Sequence, residues 1–188
     1  FIMSNPKKIG VLSGARVYLA GNLENSSVGF ESWRQKLKGQ LTKMGVIVLD
    51  PTEIVFEGQV LETNEDRQRL KQMRLEGRHQ EVADYMVPVV QKDLRQIDLS
   101  DFVIFNFQVS KPTFGTPHEL AVAIQQKKPI FICINEGKEA TPLWFYGIVK
   151  EKYIYNSLDE IVKMVQGINE EKVRIDSDRW KLLRHEFR

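Results

Sequence analysis

The sequence predicts an α/β fold: a doubly wound, mainly parallel sheet of five strands with helices on both faces. Two observations carry that prediction. Short apolar β runs alternate along the chain with helix-length segments, the pattern of an open sheet wrapped by helices. The composition of the 188 residues, 42% apolar and 10% aromatic, can fill a sizeable core, so one domain spanning residues 1–188 is the simplest organisation.

Arg16 to Ala20 (RVYLA) reads as the first strand, and Gly21-Asn22-Leu23-Glu24 as the loop that leaves it. Trp33, Leu37 and Leu41 then recur every four residues up to a stop at Gly45, the stripe of an amphipathic helix. Val46 to Leu49 (VIVL) is a second buried strand, ended by Asp50-Pro51. From about Thr63 to Gln80 the chain is dense in Glu, Arg, Lys and Gln, which predicts an exposed insertion, either a solvated helix or a mobile excursion.

Tyr85, Val89, Val90, Leu94 and Ile97 make the next helical face, with Pro88 as a residue that kinks or splits it. Phe102 to Phe107 (FVIFNF) is the third strand, Leu120 to Gln126 a helix, and Ile130 to Ile134 the fourth strand. Tyr153 to Tyr155 reads as an edge strand. Ser157 opens a last helix carrying Ile161, Met164 and Val165. The tail, 169–188, is charged, yet Trp180, Leu182, Leu183 and Phe187 in it call for a surface to dock on.

Charge and cysteine usage narrow the function classes. The net charge of +2 comes from 27 basic and 25 acidic side chains mixed along the chain, so no basic stripe announces a nucleic-acid polymer. Cys133 is the single cysteine and lies in the apolar run PIFICI, which excludes an internal disulfide and reads as a small buried hydrophobe. Three scattered histidines give no zinc-ligand spacing. No apolar run has the length of a bilayer span, and the first dozen residues are too broken for a signal sequence, so the expected location is cytoplasmic and no membrane partner is expected.

In a doubly wound sheet, ligands collect beyond the carboxyl ends of the strands where the winding reverses. With five strands in the flavodoxin-like, Rossmann-like order, that crevice lies between the first and third strands. It is bordered by the loop at Gly21 and Asn22 and by the segment from Asn106 to Glu119. Topology therefore predicts Glu119 beside Tyr18. Locally, Thr116-Pro117-His118-Glu119 reads differently, as a capping box with Thr116 at the N-cap and Glu119 reaching back to a free N–H. Gly115 and Thr116 also offer free N–H groups suited to an anion. Among Asp93, Asp98 and Asp101, the last two read as a loop charge and a turn cap. Asp93 falls near a helix end, where an acid opposes the dipole and wants a specific reason.

The segments VYLAGNLE, KDLRQIDLSD, FGTPHELAVAIQQKKPIFI and, more loosely, PLWFYGIVKEKYIYNSLDEI occur in an order that resembles the nucleoside 2-deoxyribosyltransferase-like family, including related nucleotide N-glycoside hydrolases. The resemblance implies cleavage of the N-glycosidic bond of a deoxynucleoside or its 5′-monophosphate. It gives Glu119 as nucleophile, Asp93 as the acid that positions nucleophile and sugar, and Tyr18 as the residue orienting the glutamate. Gly21, Asn22, Asn106, Gly115 and Thr116 fall where substrate contacts are expected, no metal or organic cofactor is required, and a homo-oligomer is implied because the family's sites are completed by a neighbouring subunit. Ser26 and Ser27 are candidates for a 5′-phosphate, and Phe30 for stacking on a base.

The chain departs from the family pattern at two places. Thr113 stands where transferases carry an aspartate that contacts the base, and TPLWFYG lacks the asparagine that a partner lends. Base selection, and the choice between hydrolysis and transfer, are thereby left open. Two other readings compete: a phosphoribohydrolase acting on nucleoside monophosphates, on the likeness of PTFGTPHE to a PGGxGTxxE signature, and a crevice that binds a nucleotide or NAD-derived ligand without cleaving it.

Overall fold

The computed structural model describes residues 10–22, 32–53, 64–111 and 113–173. The described elements are β1 (Arg16–Gly21), α1 (Trp33–Thr42), β2 (Ile47–Leu49), α2 (Asn64–Leu75), α3 (His79–Leu99), β3 (Phe102–Phe107), α4 (Gly115–Gln125), β4 (Ile130–Ile134), α5 (Leu143–Ile148), β5 (Ile154–Tyr155) and α6 (Leu158–Asn169). The five strands form one parallel sheet in the order β2-β1-β3-β4-β5. This is the flavodoxin-like α/β arrangement expected from the alternation of β runs and helices.

Register places side chains on two faces, because alternate residues of a strand point opposite ways. Tyr18 pairs with Val103 and Val103 with Ile130, so these share one face, while Gly21, Asn106, Cys133 and Tyr155 form a row on the other. α3 and α4 pack on each other and on β1, whereas α1 contacts α6 and α6 lies on β4 and β5. The core is strand-built: Val17, Tyr18, Leu19, Phe102, Ile104, Phe105, Phe131 and Ile132 are fully buried. Phe131 meets Phe102 and Tyr153 edge-on with centroids 6.2 and 5.9 Å apart, the geometry favoured by ring quadrupoles.

Several expectations are corrected. The buried stripe of α1 is Arg34, Leu37 and Leu41, with Trp33 only half-buried, so a charged residue occupies a core position. Ser32 and Gln35 form the capping box that starts this helix. The second strand begins at Ile47, which is exposed because β2 is an edge strand. The charged segment forms the solvated helix alternative: α2 buries Leu70 and packs along α3, with the Arg69 guanidinium 5.5 Å from the Tyr85 ring. α3 runs unbroken through Pro88 and starts at His79, inside the stretch read as insertion. Leu23, Glu24, Ser26, Ser27, Phe30, Thr63 and the tail aromatics Trp180 and Phe187, with Leu182 and Leu183, lie outside the described residues.

Candidate active site

β1 ends at the carboxyl edge of the sheet centre, and its Tyr18 is fully buried beneath α3 and α4. From there the phenol Oη donates a hydrogen bond to Oε1 of Glu119 at 2.6 Å, a length typical of a hydroxyl donating to a carboxylate. Glu119 is not a cap. α4 begins at Gly115, two residues earlier than the local motif predicted, its N-cap is Phe114, and no side chain caps it. Glu119 is thus the fifth residue of the helix, too far along to reach the first free N–H groups, and its carboxyl turns to the tyrosine instead.

Asp93 comes from α3, six residues before its last residue Leu99, and so is further from the dipole end than the sequence suggested. It lies at 3.1 Å from Nζ of its neighbour Lys92, which also donates to the carbonyl of Pro51 at 2.8 Å. Tyr18, Gly21, Pro51, Val89, Lys92, Asp93 and Glu119 line one cleft of about 40 Å³.

Asn22, the residue after β1, donates from Nδ2 to the carbonyl of Lys111 at 2.8 Å, and Thr113 Oγ1 lies 3.4 Å from its Oδ1. Thr113 also meets the buried Thr116 hydroxyl at 3.2 Å. These contacts tie the β1 exit to the approach of α4. The same approach is held from its other side by Glu136, whose carboxylate accepts from the N–H groups of Val109 and Ser110 and from the Ser110 hydroxyl at 2.7 to 3.0 Å. Those donors hold the exposed Glu136 carboxyl at about 2.

The electrostatics of the cleft centre on Glu119. The residue is half-buried, its carboxyl end being the shielded part, and burial raises its pKa from 4.5 to about 7. The Tyr18 hydrogen bond opposes that rise, the Asp93 charge adds to it, and Arg34 and Lys92 counter it. The Tyr18 hydroxyl is pushed well above its ordinary value, first by burial and then by the Glu119 and Asp93 charges, so it stays a donor at neutral pH.

Of the residues singled out from sequence, the structure brings together Tyr18, Gly21, Asp93 and Glu119 as walls of the cleft, while Asn22 and Thr116 are joined to each other through Thr113. Gly115 opens α4 at the surface. Asn106 is paired with Gly21 but belongs to the opposite sheet face from Tyr18, where a Cβ on Gly21 would meet it and the Trp33 ring. Sequence reasoning missed Arg34, Lys92 and Pro51. The available signals were a charged residue next to the tryptophan in the α1 stripe, a lysine adjoining the suspected acid, and a proline ending the second strand at the same sheet edge.

The model of nucleoside 2-deoxyribosyltransferase like proteins matches residues 14–137 of this chain. The chain belongs to that family. The matched span contains every residue of the cleft, and membership supports N-glycosidase or deoxyribosyl-transfer chemistry in general. Among solved structures, the chain is similar to the 2-deoxyribosyltransferase of the psychrotolerant bacterium Bacillus psychrosaccharolyticus. The identity is 18% and the TM-score 0.47, over 79% of this chain and 90% of that one. No curated protein matches. Among the described residues, no helix is long and apolar enough to cross a membrane.

Proposed function

We propose that the protein cleaves the N-glycosidic bond of a deoxynucleoside or its 5′-monophosphate through a covalent glycosyl ester on Glu119. The observation that carries this reading is the Tyr18–Glu119 hydrogen bond at the mouth of a cleft shared with Asp93. A buried carboxylate facing a sugar gains as positive charge develops at C1′, because the oxocarbenium-like state replaces the solvation it lacks. Oε1 is held by the tyrosine, so Oε2 attacks C1′. The C1′–N bond breaks with its electron pair on the base, and the proton that Glu119 gives up on becoming the attacking carboxylate passes through Asp93 to the base.

The ester is then resolved by an acceptor at C1′. With water, Asp93 takes the proton, the C1′–O bond breaks and Glu119 regains its charge. With a second base the product is a new nucleoside. Thr113, in place of a base-binding aspartate, favours hydrolysis, because nothing of that charge holds the second base after the first departs. Self-association belongs to the same reading: Leu143 and Trp144 of α5 are 88% and 79% exposed, an apolar surface just ahead of β5 suited to a second copy.

The test is incubation with a panel of nucleosides and nucleoside monophosphates, with and without a second free base, and chromatography of the products. Free base without exchange identifies a hydrolase and a new nucleoside a transferase. Tight binding without any product would overturn the catalytic reading.

A further inference from the structure

Arg34 is 2% exposed, a cation in the apolar stripe of α1, and a buried charge persists only where partners replace its water. Its partners are at the exit of β1. Nη2 donates to the carbonyl of Gly21 at 2.8 Å, Nη1 to Asn22 at 3.2 Å, and Nε to Leu19 at 3.4 Å. The planar guanidinium thus gathers three carbonyls at the carboxyl end of β1, those of Leu19 and Gly21 in the strand and of Asn22 just past it. The Asp50 carboxylate, 1% exposed, stands 3.7 Å from Nε and accepts from the N–H and hydroxyl of Thr52 at 2.8 and 2.7 Å. The next residue, Pro51, receives Lys92, which adjoins Asp93. Gly21, Pro51, Lys92 and Asp93 are all walls of the cleft around Glu119.

We propose that Arg34, balanced by Asp50, is a positioning residue for this site. It fixes the β1 exit and the Asp50-Pro51 turn as cleft walls and supplies a positive charge that Glu119 senses through the protein. Four groups besides Arg34 face the Glu119 carboxyl or its cleft: Tyr18 from β1, Lys92 and Asp93 from α3, and Asp50 at one remove after β2. Burial and Asp93 hold a proton on Glu119, while Tyr18, Arg34 and Lys92 draw it off. Arg34 differs from Lys92 in being locked by four groups, so its distance to the site does not relax.

The catalytic consequence rests on the proposed role of Glu119, and the decisive test does not. Full-length protein carrying carboxyl-13C glutamate is titrated by NMR, the Glu119 resonance being assigned by its loss in Glu119→Gln. In Arg34→Met the Glu119 midpoint moves above its wild-type position. Arg34→Lys, which keeps the charge, restores it, and Asp50→Asn, which unmasks Arg34, moves it down. An unmoved midpoint in folded Arg34→Met overturns the proposal, and if that variant does not fold, an unmoved midpoint in Asp50→Asn does so. In the activity assay, the acid limb of the pH profile follows the same midpoints, and Arg34→Lys, lacking the fork, loses on the order of 10- to 100-fold in kcat/KM through misplacement of the walls. A moved midpoint in a protein that cleaves no substrate sustains the positioning role and sinks the enzymatic reading alone.

Discussion

The Tyr18 hydroxyl and the Glu119 carboxylate, 101 residues apart in sequence, meet at 2.6 Å across the centre of the sheet. One partner is buried in the middle of β1 and the other sits in the second turn of α4, so the bond exists only once β1 and β3 have paired and α4 has docked over them. Replacing Tyr18 with Phe removes a hydrogen bond to a charged group, worth about 1.5–3 kcal/mol, and so lowers kcat/KM by roughly 10- to 100-fold if Glu119 reacts as a carboxylate. Because that bond lowers the Glu119 pKa, its loss also moves the acid limb of the rate profile to higher pH. Steady-state kinetics from pH 5 to 9 reads both effects.

Holding Glu119 buried costs stability. Its pKa rises from 4.5 in the open chain to about 7 when folded, so between those values the folded state binds more protons and stability falls as pH rises. Below the lower value the penalty is absent; above the upper it reaches on the order of 3 kcal/mol. Glu119→Gln keeps an oxygen for Tyr18 and never ionises. Urea unfolding is therefore expected to show the variant more stable than wild type at pH 8 and indistinguishable from it near pH 4, and equal stabilities at pH 8 would contradict the burial argument.

Glu136 is a clamp of opposite sign. Its carboxyl is held at about 2, so what it contributes is fully present above the ordinary value of 4.5 and is lost as pH falls towards 2. Glu136→Ala frees the N–H groups of Val109 and Ser110, and hydrogen exchange at those two amides accelerates at neutral pH while the β3 amides stay protected.

Thr113 touches both Asn22 after β1 and Thr116 in α4, and an aspartate in its place would add a charged acceptor for a base. Thr113→Asp is expected to increase the ratio of base exchange to hydrolysis. Product ratios measured with a second base present check this, and an unchanged ratio removes Thr113 from base selection.

Leu143 and Trp144 project from the short helix α5 ahead of β5. If a second copy covers them, Trp144→Glu raises the dissociation constant of the oligomer in sedimentation velocity while leaving the monomer fold intact. Wild-type protein that sediments as a monomer at assay concentrations excludes this interface.

The fold was legible because its strands are short continuous apolar runs, a signal that survives without an alignment; FVIFNF and IFICI became the buried middle of the sheet. Glu119 and Tyr18 were legible through topology, which sends both to the same crevice. What misled was local chemistry. TPHE satisfies the pattern of a capping box, but that pattern contains nothing about a tyrosine a hundred residues away that binds the glutamate more firmly. Arg34 stayed hidden because periodicity counts apolar residues, and a guanidinium buried against three carbonyls is a tertiary fact. The half-buried Trp33 beside it, with the Arg34 guanidinium 4.3 Å from its ring, took the stripe position by hydrophobicity alone.

Peptide mapping by mass spectrometry after incubation with a 2′-fluoro-arabinosyl nucleoside, whose fluorine slows breakdown of a glycosyl ester, tests the nucleophile directly. A mass increase of one fluorosugar on the peptide containing Glu119, absent from Glu119→Gln, is the expected result. A fluorosugar on any other residue, or base release undiminished in Glu119→Gln, would contradict the account.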